Sequence, residues 1–315
     1  MTVRFYTYMD AGAPSFYGAE QGSIINVLTK CLVDGYGSKP GAGWTKPFTG
    51  TNQAAFRQGG GNNRFLYVND GYNAGGSGNS RWCRAKGFET MSDIASGTGQ
   101  FPAESSLAGG VFWALRYSSA TTSNTNQPWT IIADETFFYL LLNTWSNQSN
   151  QYYREMYWFG DFNKYSSADN FNTALFGRGN AALNSSEIFP QDSANISSSG
   201  VGYFAAARSY TGLGGSKYLG WHHDYVKSGT SAWGADSSSL PYPHPIDGGL
   251  LLSPCWVHEP GAAIRGTMPG LWIPLQGVFN HEDNFDGQGP FAGKRFYVWR
   301  HNTSRCAIEI SDTWR

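Results

Sequence analysis

Trp129-Thr130-Ile131-Ile132-Ala133-Asp134-Glu135-Thr136-Phe137-Phe138-Tyr139-Leu140-Leu141-Leu142 is the stretch that decides the fold class. Two runs rich in aromatic and aliphatic residues flank a short polar segment, the pattern of two strands joined by a tight turn. Asp134 falls in that predicted turn, an ordinary place for an aspartate. Immediately downstream, residues 152–159 read as a third strand, closed by Gly160-Asp161, and Asp161 is expected to hydrogen-bond to a turn.

Working outward, residues 64–69 and 81–88 read as a second hairpin with a long Gly/Ser/Asn-rich tip. Residues 3–8 and 111–117 are further strands, and 203–208 is a weak one. Late strands are expected at 250–257, 271–275 and 295–300, with 307–310 closing the series. The exception to this β pattern is near the start, where Ile24, Ile25, Val27, Leu28, Cys31 and Leu32 form one apolar stripe at helical spacing. The spacing predicts a helix over residues 23–33, with Ser23 as N-cap and Gly35 as stop. Leu28 would pack that helix on a sheet. Tyr36 and Trp44 follow in a Gly-rich segment, where an aromatic packs back on the helix or against a neighbouring subunit.

The fold class is therefore mainly β, at the margin of α+β. It is an antiparallel sandwich or barrel-like set of sheets with long Gly/Ser-rich loops and one N-terminal helix. A boundary near 118–127 would give regions 1–120 and 121–315. One continuous domain is the alternative.

Composition narrows the function. Charged residues are 14% of the 315 and the net charge is -1. A chain this neutral has no basic face for phosphates, which argues against a nucleic-acid partner, and no polybasic patch for a membrane surface. No apolar run reaches the roughly 20 residues of a membrane span, so no membrane insertion is expected. Met1-Thr2-Val3-Arg4-Phe5-Tyr6 lacks a basic region followed by an apolar one, so no signal peptide is expected. Aromatic content is 16%, with 12 Trp, 18 Tyr and 20 Phe beside 40 Gly. Such residues serve β cores and also interfaces and sugar platforms.

Residues that could carry chemistry are few. The four cysteines, Cys31, Cys83, Cys255 and Cys306, are widely spaced, so they are expected as buried thiols without disulfides or metal. His222-His223, His258-Glu259 and His281-Glu282-Asp283-Asn284 do not form the helical zinc motif H-E-x-x-H. A folded cluster of His222, His258 and His281 stays open. Asp134, Glu135, Asp161 and Glu259 are carboxylates of the type that glycosidases pair. There is no G-x-S-x-G elbow and no phosphate-binding loop. The reading is of a non-enzyme without catalytic residue, cofactor or metal.

Three stretches carry a resemblance. The first runs from Gly22-Ser23-Ile24-Ile25-Asn26-Val27-Leu28 through Cys31-Leu32-Val33-Asp34-Gly35-Tyr36-Gly37 and Ala42-Gly43-Trp44-Thr45-Lys46-Pro47-Phe48 to Asn52 and Ala54-Ala55-Phe56-Arg57. The second is residues 129–139 leading to Phe159-Gly160-Asp161-Phe162. The third is Arg265-Gly266-Thr267-Met268-Pro269-Gly270-Leu271-Trp272. Together they resemble a group of conserved structural proteins of tailed-bacteriophage virions. The resemblance implies a virion subunit assembled in the bacterial host cytoplasm, placed in the tail or baseplate, with other virion proteins and copies of itself as partners. It brings no catalytic role. Leu28, Tyr36, Trp44, Asp161 and Trp272 are the candidate packing or assembly contacts. Two alternatives remain: a receptor- or carbohydrate-binding tail protein, with a host surface glycan as partner, and a capsid decoration protein.

Overall fold

A computed structural model describes residues 2–71, 81–94, 96–116, 126–144, 154–179, 202–213, 217–218, 220–222, 248–259, 263–274, 276, 279–301 and 304–312. Among the described residues strands make up 51%, and one helix of 12 residues, α-helical and then π-helical, stands beside them, so the fold is mainly β. The main sheet is antiparallel, twelve-stranded and curled into a half-barrel. Its path runs β1 (Arg4–Thr7), β9 (Trp129–Ala133), β10 (Phe137–Asn143), β11 (Arg154–Asp161), β13 (Thr173–Arg178), β8 (Val111–Arg116), β5 (Arg81–Phe88), β4 (Phe65–Asn69), β3 (Gln53–Arg57) and β2 (Thr45–Gly50). Two more strands, β14 (Gly202–Ala206) and β15 (Lys217–Tyr218), extend it beside β13.

A second, seven-stranded sheet orders β16 (Gly220–His222), β17 (Leu252–Glu259), β18 (Ala263–Pro274), β21 (Ser304–Glu309), β20 (Arg295–His301) and β19 (Asn284–Asp286). Strand β12 (Asn163–Lys164) pairs with β18. A small ribbon joins β6 (Thr90–Asp93) to β7 (Ser96–Thr98). Strands on both sides of residues 118–127 share the main sheet, since β1 pairs with β9 and β8 pairs with β13.

The hairpin that decides the fold class is present in register, with Ala133 opposite Phe138 and Trp129 opposite Leu142. Asp134 Oδ1 accepts the N–H groups of Thr136 and Phe137 and the Thr136 hydroxyl. The third strand starts at Arg154; Tyr152 and Tyr153 lie outside the described residues. The tip between β4 and β5 likewise falls on residues 72–80, outside them.

Every residue of β9, β10 and β11 is buried. Alternation sends successive side chains to opposite faces, so both faces need cover. On one face, Phe138 and Phe159 meet Trp44, each edge-on, and Trp113 packs edge-on to Phe138. On the other, Tyr139 donates its hydroxyl to the Pro269 carbonyl in the second sheet (2.8 Å), and Tyr139 and Trp158 are neighbouring rings.

The helix, α1 (Ser23–Leu28), continues as a π-helical turn over Thr29–Asp34 and stops at Gly35, whose φ of 82° favours glycine. Its cap differs from expectation. Ser23 is the first helical residue, and its hydroxyl accepts the Tyr17 N–H (2.8 Å). The cap position belongs to Gly22 at φ 84°. Ile24, Val27, Leu28, Cys31 and Leu32 form the buried stripe. Strand β18 also departs from expectation: it spans Ala263–Pro274 rather than 271–275, since pairing with β17 carries it across Gly266, Pro269 and Gly270 with register shifts.

Two substitutions test this packing. Leu28 is fully buried, so Leu28→Ala should cost about 2–5 kcal/mol through lost transfer energy and a residual cavity. Trp44→Ala should cost roughly 3–5 kcal/mol by the same route. Urea unfolding of the isolated variants measures both, and an unchanged midpoint for either removes that residue from the core.

Candidate functional site

The structure brings two of the candidate contacts, Trp44 and Asp161, to one corner. Both hold the turn between β9 and β10. Trp44 donates its indole N–H to the Asp134 carbonyl (2.6 Å), and the Asp161 N–H donates to the Thr136 carbonyl (3.1 Å). The intervening Glu135 carbonyl accepts the N–H groups of Gly59 and Gly60. The Asp161 carboxylate then ties down that glycine loop. It accepts the Asn62 N–H (2.8 Å), the Gln58 side-chain amide (3.1 Å) and the Thr173 hydroxyl (2.5 Å). A Cβ on Gly61 would overlap Asp161 Oδ2, so glycine is what lets this loop approach the carboxylate. The turn that Asp161 serves is thus far away in sequence rather than its own.

Tyr36 belongs to a second cluster near α1. Its hydroxyl donates to Asp10 Oδ2 (2.7 Å), which also receives the Lys39 ammonium (2.6 Å) and the Thr7 N–H (2.8 Å). Burial alone would raise the Asp10 carboxyl, but these donors outweigh it and hold the group below its ordinary 3.8. Burial, and then the bond to Asp10, raises the Tyr36 phenol. Trp272 lies apart on β18, half-buried, with its ring edge-on to Phe291 at 4.8 Å. All four cysteines are buried free thiols. His222 and His258 lie on paired strands β16 and β17, two positions out of register, while His281 packs on Trp299 in β20. Among the described residues no group of His, Cys, Asp and Glu could hold a metal ion.

Sequence reading missed the part of the surface that stands out most. Met9, Tyr165, Tyr210, Leu213 and Ile264 are the exposed large hydrophobics among the described residues. All but Met9 lie on segments that adjoin Arg265 in sequence or are tied to it or its partners by hydrogen bonds; Arg265 is the first residue of the third resembling stretch. Arg265 is fully buried. It makes a two-pronged pair with Asp169 (2.9 and 2.8 Å) and a third charged contact with Glu259 (2.9 Å). It also donates to the carbonyls of Arg208 (3.0 Å) and Phe171 (2.9 Å).

One arginine therefore joins β17, β18, the segment after β12 and the segment after β14. The exposed side chains sit on this frame. Tyr165 donates its N–H to the Arg265 carbonyl and its hydroxyl accepts the Trp256 indole N–H (3.0 Å). Tyr210 N–H donates to Glu259 Oε1 (2.7 Å). Leu213 is bonded to Ser209, and Ile264 precedes Arg265 on the strand. The backbone of these segments is thus anchored while the four side chains are exposed. No protein-family model matches the chain, and no curated protein matches its sequence.

Removing one partner of a buried pair leaves the other charge uncompensated, so Arg265→Ala should cost about 3–5 kcal/mol, read by urea unfolding. The Asp10 cluster gives a pH signature. Because the folded carboxyl lies below its unfolded value, its contribution is present above about pH 4 and lost as pH falls through the folded value. The melting-temperature gap between wild type and Asp10→Asn should therefore be open at pH 7 and narrow below pH ~4. A gap independent of pH would show that the carboxylate charge contributes nothing.

Proposed function

We propose that this chain is a non-enzymatic structural subunit of a tailed-bacteriophage virion, in the tail or baseplate, with other virion proteins and copies of itself as partners. The observation that carries the reading is the Arg265 frame. A buried arginine ties together the segments that carry the exposed Tyr165, Tyr210, Leu213 and Ile264, and exposed apolar side chains on an anchored backbone suit a permanent neighbour. The resemblance adds support from a second direction. Its three stretches fall on the parts that organise the fold: α1 with β2 and β3, the β9–β11 meander, and β18. The carboxylates of interest for hydrolysis also have other partners. Asp134 holds its own turn, Asp161 holds the glycine loop, and Glu259 pairs with Arg265.

Mass spectrometry of purified particles should find the protein in the mature virion, and gold labelling should place it on the tail. The double variant Leu213→Ser with Ile264→Thr, at two exposed apolar side chains, should melt as the wild type does yet be depleted from particles. Absence of the wild-type protein from mature particles overturns the reading.

A further inference from the structure

The β17–β18 pair ends in two surfaces of matching chemistry. At one end Glu259 pairs with Ala263. Ile264 is 57% exposed there, and the backbones of Tyr165 and Tyr210 are bonded to Arg265 and Glu259. Leu213, 67% exposed, lies on the segment that Arg265 ties down through the Arg208 carbonyl. At the other end Leu252 pairs with Pro274, and the surface is hollow. A cleft of about 590 Å³ opens between the approach to β17 and the loop that follows β19. The run from Ile264 to Pro274 along β18 puts the two ends roughly 30 Å apart, at about 3.3 Å per residue.

The cleft is apolar and its walls are braced. Leu250, Leu251, Leu252, Phe279, Phe285 and Phe291 line it, each only half-buried. The buried Gln276 side chain accepts the Leu251 N–H (2.7 Å) and donates to the Gly249 carbonyl (3.2 Å), which holds the leucine run in place. Phe285 stacks on both Phe279 (4.4 Å) and Phe296 (5.0 Å). Phe291 is backed by Trp272, one of the candidate contacts. Half-exposed apolar side chains around an open hollow gain by burial against another apolar surface. The flanking charges are opposite in sign. Asp286, exposed, lines the cleft, and Arg295 across from it on β20 does not. Lys164, exposed beside Tyr165, bonds its ammonium to carbonyl oxygens rather than to a carboxylate.

We infer that the cleft receives the exposed Ile264 and Leu213 of a second copy of this chain, so that subunits join head to tail; this rests on the assembly reading above and names the surface at which copies meet. Aliphatic side chains that have no cover at one end find an aliphatic and aromatic hollow at the other, and Lys164 of one copy approaches Asp286 of the next. A contact between two different surfaces is heterologous. Each added copy keeps one free end of each kind, so the assembly grows into a ring or a filament rather than closing as a pair.

Sedimentation velocity on the isolated protein tests this, since the contact needs no other component. The average mass should rise with concentration and pass that of a dimer. Ile264→Asp, which spoils the exposed end, and Leu251→Asp, which spoils the cleft, should each leave a monomer with the wild-type melting temperature. Mixed, the two should form a one-to-one complex, because each supplies the end that the other lacks. Should Leu251→Asp not fold, Asp286→Lys takes its place: it should weaken association roughly tenfold, and adding Lys164→Glu to the same chain should restore it. A wild type that stays monomeric or stops at a dimer overturns the inference. So does association that survives the cleft variant, or a mixture that stays monomeric. A monomer that is nevertheless found in particles leaves the assembly reading standing, whereas absence from particles with association intact overturns that reading alone.

Discussion

Burial of β9, β10 and β11 on both faces is the constraint on which the remaining structure depends. A one-faced antiparallel sheet can leave its other side to water. This one cannot, because Phe138 and Phe159 point one way and Tyr139 and Trp158 the other. The main sheet satisfies the first face by curling, so that Trp113 from β8 and Trp44 from the loop after α1 reach it. The second sheet supplies the other cover, with contacts at Tyr139–Pro269 and Phe5–Tyr297.

Charge is scarce in this chain and much of it is inside. Arg81 pairs with Asp70, Arg178 with Glu155 and Arg265 with Asp169, all buried. Pairs of this kind contribute little net stability compared with apolar packing, but losing one partner is costly. Their effect here is positional. The Arg178–Glu155 pair links β13 to β11, and Arg178 also lies over the Trp82 ring at 5.6 Å. Arg265 does the same for four segments of the second sheet and its surroundings.

The local parts of this architecture were legible in the sequence. The β9–β10 hairpin announced itself through the two apolar runs flanking residues 133–136, and the stripe from Ile24 to Leu32 announced the helix, because both signals are complete within a few residues. Strands β2 and β3 were not read. Strand β2 is largely exposed at the sheet edge, so it carries no apolar alternation to detect. Strand β18 was read short because Gly266, Pro269 and Gly270 resemble a break. The site was less legible still. Glu259 meets Arg265 within the β17–β18 hairpin, but Asp169, whose bidentate pair buries the guanidinium, comes from 96 residues earlier in the chain, so nothing local marks Arg265 as buried. Asp161 was visible as a turn-binding residue, but not the glycine loop about a hundred residues earlier that it holds.

The pairing of β1 has a consequence for biosynthesis. Arg4–Thr7 pair with residues 130–133, and the Val3 N–H donates to the Asp312 carbonyl. As the chain leaves the ribosome, its first strand has no sheet partner until residues beyond 130 emerge, and its start is not tied down until residue 312 is made. Folding dominated by such distant pairings is slow. Strands β2 to β5 can meanwhile pair with one another and with β8, so β1 is the strand left waiting, over a period in which association with chaperones competes with aggregation.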